Sequence, residues 1–238
     1  MTKSGADRTG EHKAPRLSSQ IARDVGILIL SGRCNPGDLL EGEVAASERL
    51  QVARTTYREA MRMLVAKGFL EVRQRAGTRV TSRDQWHWLD TDVLAWMLDV
   101  DRGPGTMSAI FELRRAVEPD AAALAAQRRT AGQLGAMRYA LGRIERLAVS
   151  HPRGNPPQQL FRSVLFESAG NFYFAALGQT INKSLSNLAA KAMSLLAMDP
   201  KSAGQYQRLF TALAEADGRA ARQAMLKLIE HEWVYCRS

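Results

Sequence analysis

The chain has 238 residues, of which 45% are hydrophobic and 24% charged, and its net charge is +9. That length suits two modest domains, and the apolar content is too high for a disordered protein. No apolar run approaches the roughly 18 residues a membrane-spanning helix needs, and the polar N-terminus lacks the apolar centre of a secretory signal, so a cytoplasmic protein without a membrane partner is expected.

Six of the nine net positive charges fall in residues 1–83. Such a bias favours a polyanion partner, because nucleic acid is held largely by phosphate neutralisation. A basic surface kept for solubility gives the same balance. The two cysteines, Cys34 and Cys236, stand far apart and show neither metal nor redox spacing.

Residues 1–16 read as a disordered tail. The spacing of Leu17, Ile21, Val25 and Leu28 predicts a first helix over 17–32, with Ser18 or Ser19 as its cap. Asn35-Pro36-Gly37 marks a turn. A short second helix is expected over 41–51, with Val44 and Leu50 as packing residues. The third, over 52–69, is stopped by Gly68. It places Tyr57, Met61 and Leu64 on one face, while Arg54, Arg58 and Arg62 recur every four residues on another. The period then changes. Leu70, Val72 and Val80 flank a polar tip at 74–78, which predicts a β-hairpin.

Three helices followed by a basic hairpin form the pattern of a winged helix-turn-helix over 17–83. The arginine ladder would then face a DNA major groove, since a guanidinium fork pairs with guanine O6 and N7 or with a phosphate. Thr55 and Thr56 lie at the helix N-terminus, where a phosphate is electrostatically favoured. Arg73, Arg75, Gly77 and Thr78 belong to the wing, beside the backbone or minor groove. A solvated helix face with ordinary charge pairs, Arg58 among them, is the competing reading.

The segment 84–104 is rich in tryptophan. Asp90 or Thr91 can cap a helix reaching about Leu98. Trp86, Trp88 and Trp96 are expected to dock this linker helix between two domains. Residues 105–238 carry helical spacing in six segments, with a loop at 150–157 and no strand pattern. This predicts an all-α bundle. The fold class is therefore mainly α, a winged helix-turn-helix with a small wing followed by a helical bundle.

Two stretches carry a resemblance. GDLL…VARTTYREAMRMLVAKGFLEVRQRAGTRV resembles the DNA-binding domain of GntR-family transcriptional regulators. ELRRAVEPDAAALAA and FRSVLFESAGN resemble the ligand-sensing and dimerisation domain of the FadR-type, FCD branch. The linker RDQWHWLDTDVLAWML is most similar to regulators of sugar-acid catabolism. Together they cover nearly all of the chain after residue 16.

The resemblance implies a homodimeric repressor on a palindromic double-stranded operator, released by a small carboxylate or sugar acid. It implies Arg54, Thr55, Thr56 and Arg58 as DNA contacts, with Arg75, Gly77 and Thr78 in the wing. The chain departs from the family pattern at 40–44, where Val44 replaces an arginine that often contacts DNA. It departs again at the metal ligands of many relatives, an Asp and three His. Their places are taken by Gln158, Arg162, Tyr206 and Leu228, so no metal and no other cofactor is expected.

A guanidinium at 162 would instead hold the carboxylate of an effector bidentately. Gln158 would meet a hydroxyl, Tyr206 would add a phenol, and Arg114 would point inward with Glu118 one turn on. Asn171 completes the candidate set, or is only a helix cap. An intrachain salt bridge at Arg162 in a vestigial, non-sensing domain is the alternative. No Glu-x-x-His or Ser/His/Asp signal supports the further alternative of a helical-bundle enzyme.

Overall fold

The computed structural model describes residues 14–73, 76–101, 104–147, 157–191 and 200–237. The tail to residue 13, Arg75 and Gln74 at the wing tip, most of the 150–157 loop, His12 and His151 lie outside them. The chain forms two compact units, Met1–Asp101 and Arg102–Ser238.

In the first unit α1 spans Ala14–Leu30. It starts before Ser18, which is a buried helix residue and not its cap. Its buried face runs through Ser18, Ile21, Ala22, Ile29 and Leu30, whereas Leu17 and Leu28 are exposed. The expected stripe was thus rotated by about one residue, because Ala22 and Gly26 admit a closer neighbour than leucine would. A Cβ on Gly26 would lie 2.6 Å from the Trp96 ring.

After the turn at Gly37 (φ 94°), the chain pairs with the wing: Leu40 N–H donates to Thr78 O at 2.9 Å, and Leu39 bridges Arg79. Then come α2 (Glu43–Arg49) and α3 (Arg54–Ala66). Val44 and Leu50 do not pack inward; α2 buries Ala46 and Ser47 instead. Tyr57, Ala60, Met61 and Leu64 form the inner face of α3. This is the apolar line of the sequence, with one alanine added.

Gly68 turns the chain at φ 78°. The wing follows as β1 (Leu70–Arg73) and β2 (Gly77–Val80), antiparallel, with Leu70 opposite Val80 and Arg73 opposite Gly77. A 3₁₀ turn at Arg83–Gln85 leads to α4 (Thr91–Val100), capped by Asp90, whose side chain accepts from the N–H groups of Asp92 and Val93. Trp86 and Trp96 belong to the core of this unit, beside Phe69 at ring-centroid distances of 4.9 and 6.3 Å. Trp96 packs α4 against Gly26 of α1 and near Phe69 just beyond α3, and Trp86 packs on Phe69 and Trp88. Trp88 is partly exposed.

The second unit contains α5 (Pro104–Arg128), α6 (Ala131–Leu147), α7 (Pro157–Ser168), α8 (Phe172–Lys191), α9 (Pro200–Ala214) and α10 (Gly218–Arg237). Phe111, Met137, Phe161, Leu165, Leu209 and Leu228 are fully buried at its centre. Burying each such side chain contributes about 1.5–3 kcal/mol. α7 packs against α5, α6 and α8, and α10 lies along α5 and α9. The ends of α7 and α9 are finished by α5: Arg128 donates to Ala169 O and Arg129 to Ala214 O, both at 2.9 Å.

Candidate functional site

The outer face of α3 is built from Arg54, Thr55, Arg58 and Arg62, all exposed, with Thr56 half-exposed. The N-cap residue is Ala53, which offers no side-chain acceptor to the first turn. The N–H groups of Thr56 and Tyr57 already donate to Ala53 O, at 3.0 and 3.1 Å, and the helix dipole adds positive potential at this end.

Arg58 is held by Glu43 at the start of α2. Its Nε donates to Oε2 at 3.1 Å and its Nη2 to Oε1 at 2.8 Å. The pair ties α2 to α3 and fixes the direction of the fork. Hydrogen bonding to Arg58 holds the Glu43 carboxyl below its ordinary range, and Arg58 is raised in turn. Arg62 approaches Glu59 at 3.6 Å, and Arg73 meets Glu71 at 3.0 Å. So the competing reading of a helix face with charge pairs fits Arg58 and Arg62, while Arg73 in the wing is paired as well, and all three remain largely exposed. Gly77, at φ 83°, supplies the left-handed turn of the wing, and Thr78 accepts Leu40 on its backbone oxygen.

A second arrangement, not visible in the sequence, fixes the far end of α3. Lys67 at its C-cap is buried, and Nζ donates to Asp90 and to Asp92, each at 2.8 Å. The ammonium also lies 5.5 Å from the centre of the Trp96 ring. Burial works against the charged forms. The ion pairs outweigh it, raising Lys67 and lowering Asp90.

In the second unit α5, α7, α9 and α10 converge on one buried polar cluster. Arg114 on α5 donates from Nε to Glu118 Oε1 at 2.6 Å and from Nη2 to Glu232 Oε2 at 2.6 Å. Arg162 on α7 donates from Nη2 to the other oxygen of Glu232. Tyr206 on α9 donates its hydroxyl to that same oxygen at 3.2 Å. Arg114 and Glu118 are fully buried, while Arg162 and Glu232 are each 5% exposed.

The guanidiniums rest on rings: Arg114 on Phe111 at 4.8 Å and Arg162 on Tyr206 at 5.7 Å. Burial opposes the charge of Glu232, but Arg162 and Arg114 outweigh it and hold the carboxyl below its ordinary range. Burial lowers and the two glutamates raise Arg114, with a net rise. Burial, reinforced by Glu232, keeps the Tyr206 phenol protonated far above its usual range. Three buried atoms here have no partner in the chain: Arg114 Nη1, Arg162 Nε and Gln158 Oε1.

Of the five expected effector residues, the cluster brings together Arg114, Arg162 and Tyr206. Gln158 lies one turn before Arg162 on α7. Asn171 stands apart as the N-cap of α8, its Oδ1 accepting from Tyr173 N–H at 2.9 Å. Glu232 was not anticipated. The signal for it was present, since Ala221, Met225, Leu228 and Ile229 form the buried stripe of α10 and Glu232 continues it. The donor set does not fit a divalent cation: Arg162 is itself a buried cation and Leu228 has no ligating atom. Among the described residues, no group of three or more His, Cys, Asp or Glu could hold a metal ion. Among them, too, no helix is long and apolar enough to cross a membrane.

Residues 17–80 match the family of bacterial regulatory proteins named gntR, and residues 109–231 match the FCD domain. The chain is 31% identical over 213 residues to the galactonate operon transcriptional repressor of Escherichia coli, covering 89% of this chain and 93% of that relative. The Uxu operon transcriptional regulator of Escherichia coli is 28% identical over 92% of this chain and 86% of its own length. Among solved structures, Lar, described as controlling expression of the Listeria monocytogenes agr system, aligns with a TM-score of 0.60 at 15% identity over 99% of both chains. That likeness extends the shared fold across both units.

Proposed function

Because this chain belongs to the GntR family of bacterial regulators, in the branch that carries an FCD domain, we propose that it is a dimeric repressor of a catabolic operon, released by a small hydroxy acid. The family is one of DNA-binding transcription regulators, not of enzymes, and the chain is related to the repressor of the galactonate operon. The finer reading concerns the effector, the dimer and the sign of regulation.

The observation that carries it is the buried cluster. Two guanidiniums keep unsatisfied N–H donors, and Gln158, one turn before Arg162 on α7, keeps an unsatisfied amide oxygen. Donors of that kind take a carboxylate and the oxygen takes a hydroxyl. Buried groups left without partners are costly, so a ligand that satisfies them gains affinity. The site works without a resident metal, since Arg162 supplies the positive charge. A second observation favours a silent sensor: Arg162 is already matched by Glu232 inside the chain.

On DNA, Arg54, Thr55, Thr56 and Arg58 would enter the major groove, with Arg62, Arg73, Arg75, Gly77 and Thr78 along the backbone. One α3 covers only a short half-site, so two copies would read a palindrome. The effector would act by binding one arrangement of the paired DNA-binding units better than the other.

The test is fluorescence anisotropy of DNA from upstream of the protein's own gene, with and without galactonate, in wild type and in Arg54→Ala. Salt-sensitive binding that weakens with galactonate, and a loss of about 1–3 kcal/mol in Arg54→Ala, support the reading. Binding unaffected by any small hydroxy acid would leave a regulator with a silent second unit.

A further inference from the structure

We propose that Glu232 is the protein's own carboxylate lodged in the effector's seat, and that an incoming hydroxy acid binds by displacing it. This rests on the effector reading above and names the step by which the site would be regulated.

The three groups best suited to hold a foreign carboxylate all converge on this one side chain. Glu232 Oε2 accepts from Arg114 at 2.6 Å, and Oε1 accepts from Arg162 and, at 3.2 Å, from the Tyr206 hydroxyl. With Glu118 against Arg114, two cations face two anions and the cluster is electrically balanced. A second carboxylate could not simply be added, because it would be an uncompensated charge in a desolvated interior. An acid entering here therefore takes the place of Glu232.

The donors exceed what Glu232 alone can use. Arg114 Nη1 and Arg162 Nε stay unfilled, and so does the acceptor Gln158 Oε1 one turn from Arg162. A free carboxylate can approach both forks without being tethered to α10, and a neighbouring hydroxyl can donate to Gln158. A plain monocarboxylate regains only what Glu232 gives up, whereas a hydroxy acid gains the amide as well. The internal glutamate thus sets a threshold that excludes simple acids.

Glu232 sits near the C-terminal end of α10, next to Trp233, whose ring lies 5.0 Å from Phe111. Its release would loosen the contact of α10 with α7 and α9, giving the bound and free states different packing. Competition of this kind lowers apparent affinity by the fraction of molecules whose seat is open.

The experiment compares full-length wild type, Glu232→Asp and Glu232→Gln by calorimetric titration with galactonate and lactate. Thermal melting in sodium acetate against matched sodium chloride accompanies it. Glu232→Asp keeps the charge on a shorter arm and guards against a Glu232→Gln chain that fails to fold. The expected order of galactonate affinity is wild type, then Glu232→Asp, then Glu232→Gln, the last about tenfold above wild type. Acetate should raise the melting temperature of Glu232→Gln and leave wild type unchanged. Wild type that binds galactonate while both variants bind it equally or less tightly would overturn the proposal: Glu232 would then be part of the binding surface, with the effector reading intact. No response of any of the three proteins to any acid would overturn the effector reading, and this inference with it.

Discussion

Arg114→Met would take one of four charges out of the second unit's interior and leave Glu118 and Glu232 with Arg162 alone. Arg114 and Glu118 are wholly buried, and the Glu232 side chain is only 7% exposed, so neither carboxylate regains its hydration. Removing one partner of a buried pair costs about 3–5 kcal/mol. For a unit of roughly 140 residues, unfolding with about 2.1 cal/mol/K per residue, that lowers the melting temperature by roughly 10–17 °C.

Glu118→Gln alone should cost a similar amount, because it leaves the Arg114 guanidinium short of a charge. The double variant restores balance, with Arg162 facing Glu232, and should be less destabilised than the sum of the two by about 2–3 kcal/mol. The assay is urea denaturation of the full chain by far-ultraviolet circular dichroism and by tryptophan fluorescence. Trp86, Trp88 and Trp96 lie in the first unit and Trp233 packs on Phe111 in the second, so fluorescence is read in a Trp233→Phe background, where the loss should appear in the helical signal with little change in the fluorescence transition. Arg114→Met within about 1 kcal/mol of wild type, or a strictly additive double variant, would refute the reasoning.

Gly26→Ala would push a methyl group to 2.6 Å from the Trp96 ring. The clash costs about 1–3 kcal/mol, offset by about 1 kcal/mol of helix propensity, and the tryptophan fluorescence transition should move to lower urea. Glu43→Ala should release the Arg58 fork, raising affinity for random DNA while lowering discrimination for the operator. The ratio of the two, measured by anisotropy at fixed salt, checks this. The Lys67 cluster also predicts a pH profile. Asp90 is lowered on folding, so its contribution is present above the ordinary aspartate range and is lost as pH falls through its folded value. Lys67 is raised, so its contribution is present below the ordinary lysine range and is lost as pH rises through its folded value. Lys67→Met should flatten both limbs in denaturation of the first unit followed by fluorescence.

The inner face of α3 was legible because Tyr57, Met61 and Leu64 repeat with helical spacing beside a polar face, and the wing because its period changes to two. The cap at Asp90 was legible for the same local reason. What failed was relative rotation and partnership. The sequence stripe on α1 favoured Leu17 and Leu28, but the close approach of Trp96 selected Gly26 and Ala22. α2 is too short to have a readable face, so Val44 and Leu50 were assigned inward when alanine and serine pack there. Arg114, Arg162 and Tyr206 could be singled out by comparison with a family pattern. Glu232 reaches them from 70 positions away for Arg162 and 118 for Arg114, separations on which local periodicity is silent. Lys67 escaped notice likewise, since its two aspartates lie beyond the wing.

The clip at Lys67 has a mechanical consequence. One buried ammonium joins the C-terminal end of α3 to the start of α4, which ends at Val100, one residue before the first unit ends at Asp101. The two helices are clipped together inside the first unit. Bending α3 against α4 would have to break both of these buried ion pairs. If α3 reads the operator as proposed, it arrives there as a reader whose form is already fixed by its own unit.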